Sequence, residues 1–122
     1  MTSLTYDHIL EAAVQVMLFV DHRVTIHFRK DSIQIQLPTT RKLAEHLQLP
    51  HYYVLPYLAT MEKENVITRM ERVGVSTTGE GSRRLFEIIA NRYRKEAEAL
   101  LGGEIFEKIG QQIESRADGG PR

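Results

Sequence analysis

The chain has 122 residues, 42% of them apolar, and no cysteine. That length fits one domain able to bury a core, and without cysteine neither disulfides nor thiolate chemistry are available. Lys/Arg and Asp/Glu balance at 16 each, no eighteen consecutive apolar residues offer a membrane span, and no basic start with an apolar run offers a secretion signal, so a cytoplasmic protein is expected.

Thr5 is placed to cap a first helix, with Asp7 in the first turn where the helix dipole favours negative charge. From Tyr6 the helix carries Ile9, Leu10, Ala12, Ala13, Val14, Val16, Met17, Leu18, Phe19 and Val20. These cover more than one face, so the helix needs cover on several sides. It is either the central helix of a monomer or is covered in part by a second subunit. Asp21-His22-Arg23 ends it. Residues 24–28 and 32–37 alternate with a period of two around Arg29-Lys30-Asp31, a β-hairpin pattern. Ile33, Ile35 and Leu37 face one way, Gln34 and Gln36 the other. Pro38 closes the strand, and Thr39 or Thr40 caps the next helix.

Leu43, Ala44 and Leu47 share one helical face, and Val54, Leu58 and Met61 share a second. Gln48-Leu49-Pro50 between them is short enough only for a tight turn, with Leu49 as an apolar plug at the bend. Two short helices so joined make a helix-turn-helix. Residues 68–72 and 75–78 flank Val73-Gly74 as a second hairpin. Gly79-Glu80-Gly81 breaks the chain, and Ser82 can cap a helix over 83–101, with Leu85, Phe86, Ile88, Ile89, Tyr93, Ala97 and Leu100 as its stripe. Gly102-Gly103 interrupts the pattern. Residues 104–115 resume it with Ile105, Phe106, Ile109 and Ile113 on one face, and residues 117–122 read as a disordered tail.

Leu43-Ala44-Glu45, Leu47, Val54, Leu58, Glu62, Val66 and Ile67 fall without a gap on a known pattern: Leu-Ala-Glu-x-Leu, a turn, then Val-x-x-x-Leu-x-x-Leu-Glu-x-x-Gly-Leu-Ile. The run resembles the DNA-recognition half of winged-helix transcriptional regulators. Met61 stands for a Leu, and Asn65 for the Gly, where it tolerates a left-handed helix end. Ser76-Thr77-Thr78-Gly79-Glu80-Gly81 resembles the exit from the wing in the MarR and PadR repressor families, with Ser76 for the usual Leu and one extra Gly. The resemblance covers residues 39–81, and the flanks in outline. It implies an α+β fold, a winged helix-turn-helix domain over 1–81 (helix-turn-helix 39–65, wing 66–78) with an extra N-terminal β-hairpin. It further implies a C-terminal helical dimerisation segment over 82–116. In such repressors the C-terminal helices pair two protomers, and these two helices carry more apolar surface than one small head covers. A homodimer is therefore expected. The implied function is a DNA-binding transcriptional regulator of prokaryotic type, its second motif helix in the major groove of double-stranded DNA and its wing on the backbone. A small-molecule effector would sit in an apolar cleft between head and dimer helices.

The charge divides unevenly. Residues 39–95 hold 10 Lys/Arg against 6 Asp/Glu, residues 1–38 hold 3 against 4, and residues 96–122 hold 3 against 6. The excess of positive charge thus lies over the motif. Thr39, Thr40, Arg41 and Lys42 open the first motif helix, where free amides and cations can hold a phosphate. Arg69 and Arg72 on the wing can reach the backbone or a minor groove. His51, Tyr52, Tyr53 and Tyr57 lie on the outward face of the second motif helix, with Leu55, Pro56, Ala59 and Thr60. No Arg, Lys, Asn or Gln precedes Lys63 on that helix, although those residues match base edges best. Pro56 costs a helix interior about 3 kcal/mol unless the helix kinks or starts late. So apolar a face also suits a protein partner, which makes a winged-helix protein–protein interaction module the alternative function. Histidines 8, 22, 27, 46 and 51 form no ligand pattern, so no metal is expected. No phosphate loop, nucleophile elbow or carboxylate pair is present, so neither an enzyme nor a cofactor is expected.

Overall fold

The computed structural model describes residues 5–70 and 74–118, and it is a mixed α+β fold of six α-helices and two antiparallel hairpins. Helix α1 (Tyr6–Gln15) begins at Thr5, whose hydroxyl accepts from the His8 amide while the His8 ring accepts from the Thr5 amide. The chain then widens into a π-helical stretch, Val16–Asp21. It stops at His22, which takes a left-handed conformation (φ 51°), and Arg23 N donates back to Met17 O. Ile9, Leu10, Ala12, Ala13, Val14, Val16, Met17 and Leu18 are all buried. One chain covers them, because α1 lies against α2 (Thr40–Leu47), α3 (His51–Lys63) and α4 (Gly79–Arg92). Of the two sequence readings of this helix, the central core helix describes these contacts. Phe19 and Val20 remain exposed at its end.

The first hairpin pairs β1 (Ile26–Phe28) with β2 (Ile33–Ile35), with Ile26 opposite Ile35 and Phe28 opposite Ile33. Ile33, Ile35 and Leu37 are buried and Gln34 and Gln36 half-buried, as a period of two requires. The second hairpin pairs β3 (Ile67–Met70) with β4 (Gly74–Thr77), and its tip at 71–73 lies outside the described residues. Beyond β2 the chain turns to β4: Gln36 bridges Ser76, and Leu37 N donates to Val75 O at 2.9 Å. Hydroxyls extend this junction. Ile35 N donates to Thr77 Oγ1 at 2.8 Å, Thr77 and Ser82 share a hydrogen bond of 2.6 Å, and Ser82 Oγ donates to Ile33 O. Ile35 N and Ile33 O, which face away from β1, thus have hydroxyl partners.

Helix α4 departs from the sequence expectation. It starts at Gly79, capped by Thr78 rather than Ser82, and Gly79-Glu80-Gly81 is its first turn instead of a break. Gly81 permits this. A Cβ there would lie 1.9 Å from Val66 O, so only glycine lets the first turn rest on the start of β3. Ser82 is buried in the junction just described, so its hydroxyl does not act as a cap.

The expected single helix over 83–101 is two, α4 and α5 (Arg94–Leu101), broken at Tyr93 (φ −133°, ψ 26°). The break follows from polar bonds to α1. Tyr93 OH donates to Glu11 Oε2 and accepts from Gln15 Nε2, both at 2.7 Å. Arg92 Nη1 donates to Glu11 Oε1 at 2.6 Å, and His46 Nε2 donates to Gln15 Oε1 at 2.6 Å. Helix α6 (Gly103–Asp118) folds back on α4 and α5. Phe106, Ile109 and Ile113 are buried, with Phe106 stacked on Phe86 at 4.9 Å. Ile105, expected on the same face, points outward because the buried set recurs at three and four residues from Phe106. Residues 119–122 of the expected tail lie outside the described residues, and α6 continues through 117–118. Of the apolar stripes from which a second subunit was expected, Leu85, Ile89, Ala97, Phe106, Ile109 and Ile113 are covered within one chain, Phe86, Ile88, Tyr93 and Leu100 are half-buried, and Ile105 is exposed.

Candidate functional site

Helix α3 presents two unlike faces. Val54, Leu58 and Met61 are buried against Leu43 and Ala44 of α2 and the rest of the core. Opposite them Tyr52, Tyr53 and Leu55 are 66%, 51% and 39% exposed, and Pro56, Ala59 and Thr60 are exposed. Tyr57, expected on the outward face, is instead half-buried against the core, because it lies three residues from Val54 and four from Met61. The turn before α3 is tight. Gln48 takes a left-handed conformation (φ 58°), Leu49 N donates to Ala44 O at 3.0 Å, and Pro50 caps α3. Leu49, the expected plug, is half-buried. Asn65 ends the segment at φ 64°, the left-handed position expected of it, and Val66 N donates to Met61 O at 2.8 Å.

Pro56 neither delays nor splits the helix, which is continuous from His51 to Lys63. The carbonyl that Pro56 leaves without a donor belongs to Tyr52, one turn back on the same exposed face, where water can reach it. Tyr52, Leu55, Pro56 and Ala59 recur at three- and four-residue intervals, so they form one apolar stripe along the outside of α3. The Tyr52 and Tyr53 rings meet edge to face at 4.9 Å, which fixes both at the start of the stripe.

Several of the polar residues expected to contact a ligand are engaged locally. Thr39 is the N-cap of α2, accepting from Lys42 N at 3.1 Å. Thr40 Oγ1 is bonded to His51 Nε2 at 2.7 Å, which ties the start of α2 to the start of α3. Lys42 Nζ pairs with Asp21 at 2.9 Å, and Arg69 Nε pairs with Glu62 at 3.1 Å. Thr60 Oγ1 donates to Pro56 O at 3.1 Å. Among the described residues Arg41 and Lys63 make no ion pair, and both are exposed. Arg72 lies outside the described residues. The structure therefore joins Thr40 to His51 at the first end of α3 and brings Arg69 to its last turn through Glu62, whereas Lys42, expected beside Thr40 and Arg41 as a phosphate contact, is drawn to Asp21 at the end of the first helix. These couplings had no signal in the sequence, since Thr40 and His51 are eleven residues apart on different helices.

A depression of about 340 Å³ lies between α4 and α6, with Phe86 and Phe106 as its floor and Arg83, Glu87, Arg94 and Glu107 on its rim. Among the described residues no group of three His, Asp or Glu stands close enough to hold a metal ion, and no helix is long and apolar enough to cross a membrane. Comparison with protein-family models, with curated proteins and with solved structures finds no match.

Proposed function

We propose that this chain is a winged-helix DNA-binding protein, a transcriptional regulator that works as a homodimer. Helix α3 enters a major groove and the β3–β4 hairpin lies along the phosphate backbone. The observation that carries the reading is the bracketing of α3. Its inner face is sealed by Val54, Leu58 and Met61, its outer face is free, Arg41 follows the Thr40 that bonds His51 at one end, and Arg69 pairs with Glu62 at the other. The Arg69–Glu62 pair lies at the surface, where an ion pair contributes about 0–1 kcal/mol, so exchange of that carboxylate for a phosphate costs little. Two heads would engage successive major grooves roughly 34 Å apart.

The test is an anisotropy titration of a labelled 30-base-pair duplex between about 50 and 200 mM salt. Affinity should fall steeply with salt, and Arg41→Ala and Lys42→Ala should each lower the slope of log K against log salt by about 1. Two chains per duplex are expected. A chain that binds no duplex at the lowest salt is not a DNA-binding protein. The apolar stripe on α3 favours a second reading, a winged-helix module that docks a protein. That reading requires binding to a partner protein to depend on Tyr52, Tyr53 and Tyr57 while Arg41→Ala and Lys42→Ala leave it unchanged.

A further inference from the structure

We infer that the outer face of α3 reads the C5-methyl groups of the major groove, and so selects thymine-rich sites rather than hydrogen-bonding guanine. The inference rests on the DNA reading above and specifies the sequence class that α3 would prefer.

The argument is one of chemistry available at the surface. Guanine is read by paired donors from Arg or Lys, and adenine by Asn or Gln. The α3 sequence HYYVLPYLATMEK holds none of these before Lys63. The three remaining polar candidates besides tyrosine are already bonded: His51 Nε2 to Thr40 Oγ1, the Thr60 hydroxyl to Pro56 O, and the Glu62 carboxylate to Arg69 Nε. What projects is the stripe Tyr52, Leu55, Pro56 and Ala59, composed of an aromatic edge, a branched aliphatic group, a ring methylene face and a methyl. The thymine methyl is the apolar feature of an unmodified major groove that such a surface can bury. From Tyr52 to Ala59 the stripe runs about 10 Å at 1.5 Å per residue, or roughly three base-pair steps. The cations at its ends suit the same partner. Arg41, next to the Thr40 that bonds His51, and Lys63 are exposed without carboxylate partners among the described residues, so a cation stands near each end of the apolar stripe, where phosphate rows flank a groove. The backbone contacts then hold the helix in place while the methyls decide sequence.

The test compares four labelled 30-base-pair duplexes at one low salt concentration: an A·T-only duplex, the same duplex with uracil for every thymine, a G·C-only duplex, and that duplex with 5-methylcytosine for every cytosine. Uracil lacks only the methyl group, and 5-methylcytosine adds a methyl at the corresponding groove position. Replacement of thymine by uracil should weaken binding about fourfold for each methyl buried, the factor for one CH2 withdrawn from water. Methylation of cytosine should strengthen it by a similar factor. In Leu55→Ala, which removes the branched aliphatic group and adds no base-reading donor, both differences should shrink while binding to the uracil duplex stays nearly unchanged. Equal affinity for all four duplexes, or preference for the unmethylated G·C duplex, overturns the inference and leaves the DNA reading standing. Failure to bind any of them overturns the DNA reading, and the inference falls with it.

Discussion

A methyl group added at position 81 would sit 1.9 Å from Val66 O and 3.1 Å from Thr77 Cβ. Backbone cannot yield at that distance, so the first turn of α4 would have to lift from the start of β3. Gly81→Ala should therefore cost about 1–3 kcal/mol, the range for overpacking a filled site. Gly79, two residues earlier in the same turn, is the control. Its added Cβ would meet Ser32 Cβ at 3.5 Å, an ordinary contact, so Gly79→Ala should stabilise by about 0.5 kcal/mol through the unfolded chain. Urea unfolding of the two variants checks both signs. The pair also marks a limit of sequence reading. Gly79-Glu80-Gly81 has the composition of a break, and only the closeness of Val66 shows that one glycine serves packing within a helix. Asn65, by contrast, was legible, because the left-handed conformation it adopts is a local property of helix ends.

Among elements, α3 is where local cost and exposed surface coincide. Pro56 interrupts its hydrogen-bond ladder at an exposed position. Pro56→Ala should raise stability by about 2 kcal/mol, the roughly 3 kcal/mol difference in helix propensity less the up to 1 kcal/mol by which proline restrains the unfolded chain. A higher urea midpoint with unchanged helical content is the expected measurement. The helices and both hairpins were legible because their signals are periodic and short in range: Leu43 with Leu47, Val54 with Leu58, and Ile33 with Ile35. The division of the long C-terminal helix was not. Its apolar stripe continues from Ile89 through Tyr93 to Ala97, and the bonds that break it at Tyr93 come from Glu11 and Gln15, roughly eighty residues away. The candidate site was legible to the extent that burial decides it, with Val54 inward and Tyr52 and Tyr53 outward. The ion pairs Lys42–Asp21 and Arg69–Glu62 were not, since a surface charge in a sequence names no partner.

At the scale of the molecule, a chain of polar bonds connects helices that are distant in sequence: His46 to Gln15, Gln15 to Tyr93, Tyr93 to Glu11, and Glu11 to Arg92. It joins α2, α1 and the α4–α5 break. Burial raises the Tyr93 phenol above its ordinary value of 10.0, and the hydrogen bond to Glu11 raises it further. The folded protein thus holds this proton more tightly than the unfolded chain. The resulting stability is complete below about pH 10, the unfolded value, and is lost as pH rises through the folded value. Urea midpoints from pH 8 to 11 should fall more steeply for the natural protein than for Tyr93→Phe. At pH 8 the substitution should cost about 1–2 kcal/mol for the lost bonds.

The bridge between Gln36 and Ser76 has a practical bearing on how this protein can be cut. Residues 39–81 look detachable on paper, a tidy cassette for grafting onto another scaffold. Yet the inner neighbour of β4 is supplied by residues 36–37, upstream of that cassette, and Ser82, just downstream, closes the junction on Ile33. An excised fragment would carry away half a sheet with a bare margin, so the smallest portable unit includes the first hairpin and the opening of α4.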